Sequence, residues 1–434
     1  DAIAYAPGGA TPHFGEVYHY EAKHNGGAPF FAQTYTRDNL GRITSITETI
    51  TLPQSETTHR FYKYDPSGRL WKVCLDDPCS TGNVLSEYLY DLNGNRVAGT
   101  SAPDGAVLDA DYDDQDRLIS ITVGPTTTQY SYTANGELQT KTDASDVTTY
   151  AYDVLGNLRR VVLPDGTAID YLVDGRNRRI GKKVNGTLVR QWMYQNQLEP
   201  VAELDGDGNL LAEFIYASKA HVPDYMRKDG QVYRFITNHL GSVALVVHTA
   251  TGIVRQHIQY NEFGGVLEER EYDANGVPVA SDLSEWFQPF GFAGALYEPT
   301  TGLLRFGERD YDPSAARWTT KDPIRFAASD TNLYAYAFAD PINGFDLTGR
   351  ITALDTTGSA QLQIELNEAK VIQAPQAYRS AFAGLCHAAK ELVRPFNDLY
   401  EKFTKGSGFQ RHHIFQALLT NLWVKSPKSW AASR

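Results

Sequence analysis

Seven times in this chain a tyrosine closes an alternating run and a short Asp-, Asn- or Gly-rich turn follows. The cases are "YDPSGRL" from Tyr64, "YDLNGNRV" from Tyr90, "YDDQDRLI" from Tyr112, "YTANGEL" from Tyr132 and "YDVLGNLR" from Tyr152. "YLVDGRNRRI" from Tyr171 and "YNEFGGVL" from Tyr260 are looser versions. The first six tyrosines stand 26, 22, 20, 20 and 19 residues apart. A period near 20 residues constrains the fold more than any local propensity, because it makes the chain an array of small units. In each unit a strand such as "TTYAY" ends in a turn and a second strand such as "NLRRVVL" leaves it. Asp after Tyr can accept amide hydrogens of the turn, and Gly supplies the positive φ that such turns need. One hairpin cannot bury its own face, so neighbours must continue a single sheet. The tyrosines are then expected to stack in register with their hydroxyls at a wet edge.

Composition agrees with a β-rich, turn-rich body: 26 Tyr and 36 Gly among 434 residues, with only two Met. No apolar run approaches the roughly 18 residues that span a bilayer. The first residues, "DAIAYAPGGA", lack the basic and apolar regions of a secretory signal and an initiating Met, which suggests a fragment or a processed product. Cys74 and Cys79 flank "LDDP" and could pair across a hairpin, but three cysteines make no framework. They suggest a chain folded in a reducing compartment. Residues 351–434 hold ten basic and six acidic residues, leaving 30 against 46 in residues 1–350. An acidic body thus carries a basic tail, which marks a boundary and points to an anionic target.

These motifs resemble the YD-repeat, or Rhs, family, and the resemblance strengthens downstream. "NHLGSVALVVHTATGIV" from Asn238 is similar to that family's late repeats. "FGFAGALYEPTTGLLRFGERDYDPSAARWTTKDPI" from Phe290 and "NLYAYAFADPINGFDLTG" are similar to its core sequence, which precedes a variable C-terminal domain. The resemblance implies a mainly β fold: a β-sheet spiral forming a cocoon-like shell over residues 1–285, a core-associated plug and autoprotease region over 286–350, and a small, mostly helical toxin domain over 351–434. About 350 residues of repeat are few for closing a cavity, so part of the shell is expected to lie N-terminal to this sequence.

Related shells cut themselves after the core with a pair of aspartates. Here the candidates are Asp322 in "TKDPIRF" and Asp346 in "FDLTGR", with the cut expected at Gly349, Arg350 and Ile351. The chemistry needs one carboxyl protonated as acid and one ionised as base. The family pattern, DPxG and then DPxGL, is altered here. Arg325 replaces Gly, Leu347 replaces Pro and Arg350 replaces Leu, and these changes bear on the turns that aim the carboxyls. Lys321 or Arg325 is expected to hold an aspartate ionised.

After Arg350 the pattern turns helical, with Phe382, Leu385, Ala389 and Leu392 on one face, interrupted at Pro395 and ended by Gly406 and Gly408. "FQRHHIF" then leads into another helical run. This stretch is similar to the His-pair motif of HNH-like toxin nucleases, with Gln416 where Pro is usual. The resemblance implies that His413 is the general base, and that His412 with Asn421 binds a divalent metal ion (Mg or Zn). Arg411 would meet the nucleic-acid backbone.

Together these readings suggest a bacterial toxin that is made in the cytoplasm without a Sec signal. It would be secreted, for example by type VI secretion, into target cells, with an adaptor or secretion apparatus and a cognate immunity protein as partners. The alternatives are a non-cleaving, carbohydrate-binding shell, and the cargo component of an insecticidal toxin complex with another activity.

Overall fold

The computed structural model describes residues 2–5, 16–51, 55–80, 82–101, 105–279, 286–328, 330–350 and 352–354. They belong to the first of two units into which the chain divides, residues 1–368. The expected helical C-terminal domain, with Ile351, Arg411, His412, His413 and Asn421, lies outside the described residues.

From Ala2–Tyr5 to Pro278–Val279 the described chain forms twenty-five strands in one sheet. Each strand pairs antiparallel with the next in sequence, so the repeat folds as an uninterrupted meander and the mainly β expectation holds. Four of the turns pair an Asp with an Arg four residues on in the same way. Asp113 Oδ1 accepts the amides of Gln115 and Arg117 at 2.9 and 3.0 Å, and its Oδ2 takes Arg117 Nε at 2.7 Å. Asp38, Asp65 and Asp174 repeat the pattern with Arg42, Arg69 and Arg178. Register shifts fall at Tyr64, Tyr90, Tyr132, Tyr152 and Tyr194, so a bulge adds twist where each strand enters its turn.

The tyrosine hydroxyls differ from expectation. Instead of facing water, Tyr64 donates to the Ile43 carbonyl at 2.6 Å, Tyr90 to Leu70 at 2.8 Å and Tyr194 to Arg179 at 3.0 Å. Each hydroxyl reaches back to the strand that leaves the preceding turn. The turn arginines cover the rings, Arg42 over Tyr64 at 4.5 Å and Arg69 over Tyr90 at 4.7 Å. A bulged sheet leaves carbonyls without ladder partners, and a hydroxyl on a stacked ring can satisfy them. Cys74 and Cys79 do pair, as a disulfide with Cα atoms 5.3 Å apart. One staple is no framework, but it runs against the reducing compartment that the scarcity of cysteine suggested.

Residues 286–350 leave the meander. Leu296–Glu298, Leu303–Phe306, Arg309–Asp312 and Arg317–Trp318 form a separate four-stranded antiparallel sheet, buried in its charged residues as well as its apolar ones. Phe306, Tyr311, Trp318 and Tyr336 cluster at ring distances of 4.5 to 6.1 Å. Buried ion pairs tie this region to the repeats. Asp310 takes Arg179 at 2.7 Å, Asp312 takes Lys141 at 3.0 Å and Glu298 takes Lys182 at 2.7 Å, while Arg305 of the same small sheet also meets Asp310 at 2.8 Å. Asn343 Oδ1 accepts the Ile43 amide at 2.8 Å, and Tyr334 donates to the Gly136 carbonyl at 2.7 Å. The last described residues, Ala353–Leu354, pair antiparallel with Gly344–Phe345. Gly344–Phe345 and Ala353–Leu354 thus make a hairpin, and Gly349 and Arg350 of the expected seam lie between its strands.

Candidate active site at the 344–354 hairpin

Asp322 and Asp346, 24 positions apart in sequence, meet at one guanidinium. Arg309 Nη2 lies 2.8 Å from Asp322 Oδ2 and 3.0 Å from Asp346 Oδ2. The three side chains are 4, 7 and 1% exposed for Arg309, Asp322 and Asp346, so their charges interact with little help from water. Arg309 is fixed in turn by lying over the Trp318 ring at 4.0 Å. The cation is therefore neither Lys321 nor Arg325, the two neighbours in sequence. Lys321 reaches Gln115 Oε1 at 3.3 Å, and Arg325 contributes its backbone amide to the Asp322 carbonyl at 3.0 Å.

One positive charge shared by two carboxyls cannot neutralise both. Burial raises the Asp322 pKa to about 6, against the pull of Arg309 and the Ile324 amide, and the Asp346 charge adds to the rise. Asp322 is thus raised towards the range in which a carboxyl can act as an acid. Asp346 Oδ1 accepts the Arg350 amide at 3.0 Å and the Thr348 hydroxyl at 3.3 Å. Its carboxyl therefore touches the nitrogen of the Gly349–Arg350 peptide. Asp322, Arg309 and Arg350 also line a small cleft with Asp330, Asn332 and Thr352, through which water could reach Asp322.

The three departures from the resembling pattern are accommodated. Arg325, in the glycine position, adopts φ +54°, so the left-handed turn survives without glycine. Leu347, in the proline position, is 4% exposed and packs into the cluster with Phe306 and Tyr336. Gly349 keeps φ +70°, and a Cβ there would stand 2.7 Å from the Phe306 carbonyl oxygen. Arg350 pairs with Glu308, its Nη2 and Nε 2.8 and 2.9 Å from Glu308 Oε2.

Comparison with known proteins places the chain in a family. The Teneurin YD-shell model matches residues 23–342, nearly three quarters of the chain. The chain belongs to the Teneurin YD-shell family. The match includes Arg309 and Asp322 and ends before Asp346, so the shell and most of the plug are common property, and the seam hairpin lies beyond. Among relatives, mouse Teneurin-3 is 27% identical over 322 residues, covering 71% of this chain and 11% of Teneurin-3. The tRNA3(Ser)-specific nuclease WapA of Bacillus spizizenii is 26% identical over 277 residues, covering 62% of this chain and 11% of WapA. The chain spans about a tenth of the curated relatives it matches. Among solved structures, TcdB2-TccC3-TEV shares the fold at a TM-score of 0.52 and 16% identity, over 80% of this chain and 19% of that one.

The YD-shell reading drawn from the tyrosine–aspartate repeat therefore stands, and the chain is an Rhs/YD-repeat shell. Of the expected site residues, the structure unites Asp322, Asp346, Gly349 and Arg350. It adds Arg309 and Glu308, which sequence spacing missed: both sit in the loop and strand after Phe306, remote from either aspartate in sequence. Among the described residues no group of three or more His, Cys, Asp or Glu could hold a metal ion, and no helix is long and apolar enough to cross a membrane.

Proposed function

We propose that this YD-shell carries a C-terminal effector and frees it by cutting its own chain at Gly349–Arg350 or Arg350–Ile351. The observation that carries the reading is the pair of buried carboxyls sharing Arg309, one of them on the Arg350 amide. In the reaction Asp346 takes a proton from water as the water oxygen adds to the scissile carbonyl carbon. Asp322 lends its proton to the carbonyl oxygen. On collapse the C–N bond breaks, Asp322 regains a proton from the diol, and Asp346 passes its own to the leaving nitrogen. Asp346 Oδ1 already stands 3.0 Å from the nitrogen of the first of those bonds. The plug stays with the shell, held by the Asp310, Asp312 and Glu298 ion pairs.

The effector is read as a metal-dependent HNH-like nuclease from the Arg411, His412, His413 and Asn421 motif, with Mg or Zn supplying Lewis acidity to the phosphodiester. The likeness to WapA, a protein named as a tRNA nuclease, supports a nuclease as the cargo. On this reading the cargo acts in a rival bacterium after secretion, and an immunity protein shields the producer.

Intact mass and denaturing gels of the whole chain, beside Asp322→Asn and Asp346→Asn, test the cut. Two fragments meeting near residue 350 in wild type, and one chain in each variant, are expected. A wild type that stays whole sinks the proposal. The freed tail, incubated with tRNA and with plasmid DNA, should lose cleavage in His413→Ala and in a chelator.

A further inference from the structure

We infer that Glu308 is a positioning residue for this self-cleavage, gripping the chain on both sides of the Gly349–Arg350 bond and selecting arginine at position 350. The inference rests on the reading of the preceding subsection. Glu308 occupies a two-residue loop, Gly307-Glu308, between strands Leu303–Phe306 and Arg309–Asp312, in which Phe306 pairs with Arg309. Its amide donates to the Thr348 carbonyl at 3.0 Å, upstream of the bond. Its carboxylate takes the Arg350 guanidinium through Nη2 at 2.8 Å and Nε at 2.9 Å, downstream of it. The next residue, Arg309, holds both reacting carboxyls. Two consecutive residues, Glu308 in the loop and Arg309 at the start of the strand, therefore hold the scissile segment and the acid–base pair against each other.

The two loops touch backbone to backbone, which makes the grip rigid. Gly307 has φ +45°, and a Cβ on it would lie 2.5 Å from the Thr348 carbonyl oxygen. A Cβ on Gly349 would lie 2.8 Å from the Arg309 amide nitrogen. Contact that close leaves only the side chains of 308 and 350 free to set the register of the bend. In the resembling pattern position 350 is leucine, which an apolar neighbour would have to receive. Here the position is arginine, its side chain 45% exposed, and a carboxylate only 16% exposed waits for it. Two guanidinium N–H groups converging on one carboxylate oxygen fix direction as well as distance, which a lysine or a leucine would not do.

A charge-reversal cycle tests this, with processing of newly made full-length chain followed by pulse–chase in cell-free translation and cut sites read by mass. A half-exposed ion pair affects a rate modestly, so Glu308→Gln and Arg350→Leu should each slow cleavage by about three- to ten-fold. Glu308→Arg and Arg350→Glu should each slow it further and blur the cut between the two candidate bonds. The double variant should return to within about three-fold of wild type with a single cut. The pH profile should keep its shape in Glu308→Gln, because Glu308 touches neither reacting carboxyl, whereas the Arg350 variants also remove a cation that lowers Asp322. Melting temperatures in an Asp322→Asn background separate lost positioning from lost folding. If wild type is cut and Glu308→Gln is cut at the same rate and bond, the clamp is overturned and the aspartyl reading stands. Failure of the double variant to recover, with its fold intact, overturns the clamp as well. A wild type that never cuts overturns both.

Discussion

The repeat turns and the seam use the same two residue types to opposite effect. In the turns, Asp38, Asp113 and Asp174 each face an arginine four residues on, about a quarter exposed or somewhat less. Burial alone would raise their carboxyls. Hydrogen bonds from that arginine and from the turn amides outweigh it and hold each below the usual carboxylate range. At the seam one arginine serves two aspartates, all three nearly sealed from water, and Asp322 rises to about 6. Stoichiometry and burial, rather than residue identity, decide whether an Asp–Arg contact makes a structural cap or an acid. The first arrangement is repeated along the sheet and does no chemistry. The second occurs where the plug folds back on the hairpin.

The comparison can be broken most forcefully at the arginines. Arg309→Ala leaves two buried carboxyls without a cation and should cost about 3–5 kcal/mol in denaturant unfolding, with cleavage lost. Arg117→Ala, in a turn, should cost under about 1 kcal/mol and leave cleavage unchanged. Equal costs would mean that the seam is no more buried in solution than the turns.

Acidity comes next. Asp322 has its folded pKa raised, so its ionised form opposes folding: the penalty is full above pH 6 and fades as pH falls towards 4. A shift of about two units corresponds to on the order of 3 kcal/mol. Unfolding titrations should show this gain in wild type and its absence in Asp322→Asn, and the cleavage rate should fall as pH rises past 6. The turn aspartates run the other way. Their stabilisation is full above the ordinary Asp value and is lost only as pH falls through their lowered folded values. A stability profile that Asp322→Asn leaves unaltered between pH 4 and 6 would contradict the contrast.

Smaller effects sharpen it. Tyr90→Phe removes one hydroxyl bond to the Leu70 carbonyl and should cost about 0.5–1.5 kcal/mol without touching cleavage. Arg325→Gly relieves a left-handed arginine but gains chain entropy in the unfolded state, so a stabilisation of at most about 1 kcal/mol is expected by thermal melting.

Much of the repeat was legible because its physics is local. Asp, the amides two and four residues on, and a left-handed glycine all lie within one turn, so their spacing is written in the chain. The tyrosine hydroxyls were misplaced because their acceptors lie a repeat away, at a carbonyl that sequence does not mark. Asp322 and Asp346 were found through resemblance, but their cation was sought next door in Lys321 and Arg325. Arg309 reaches them only because the short strand Arg309–Asp312 packs the guanidinium on Trp318. Likewise, Arg350 looked like a defect until Glu308 was seen opposite it.

By itself, then, the sequence determined the architecture: a period near 20 residues whose hairpins are too small to stand alone must extend into one antiparallel sheet. It also named the two aspartates. Which cation they share, how far Asp322 is raised and which carboxylate meets Arg350 were decided only by tertiary packing. Those properties depend on burial and on contacts between segments 13 to 42 positions apart, and electrostatic interactions gain their strength only once folding has removed the water.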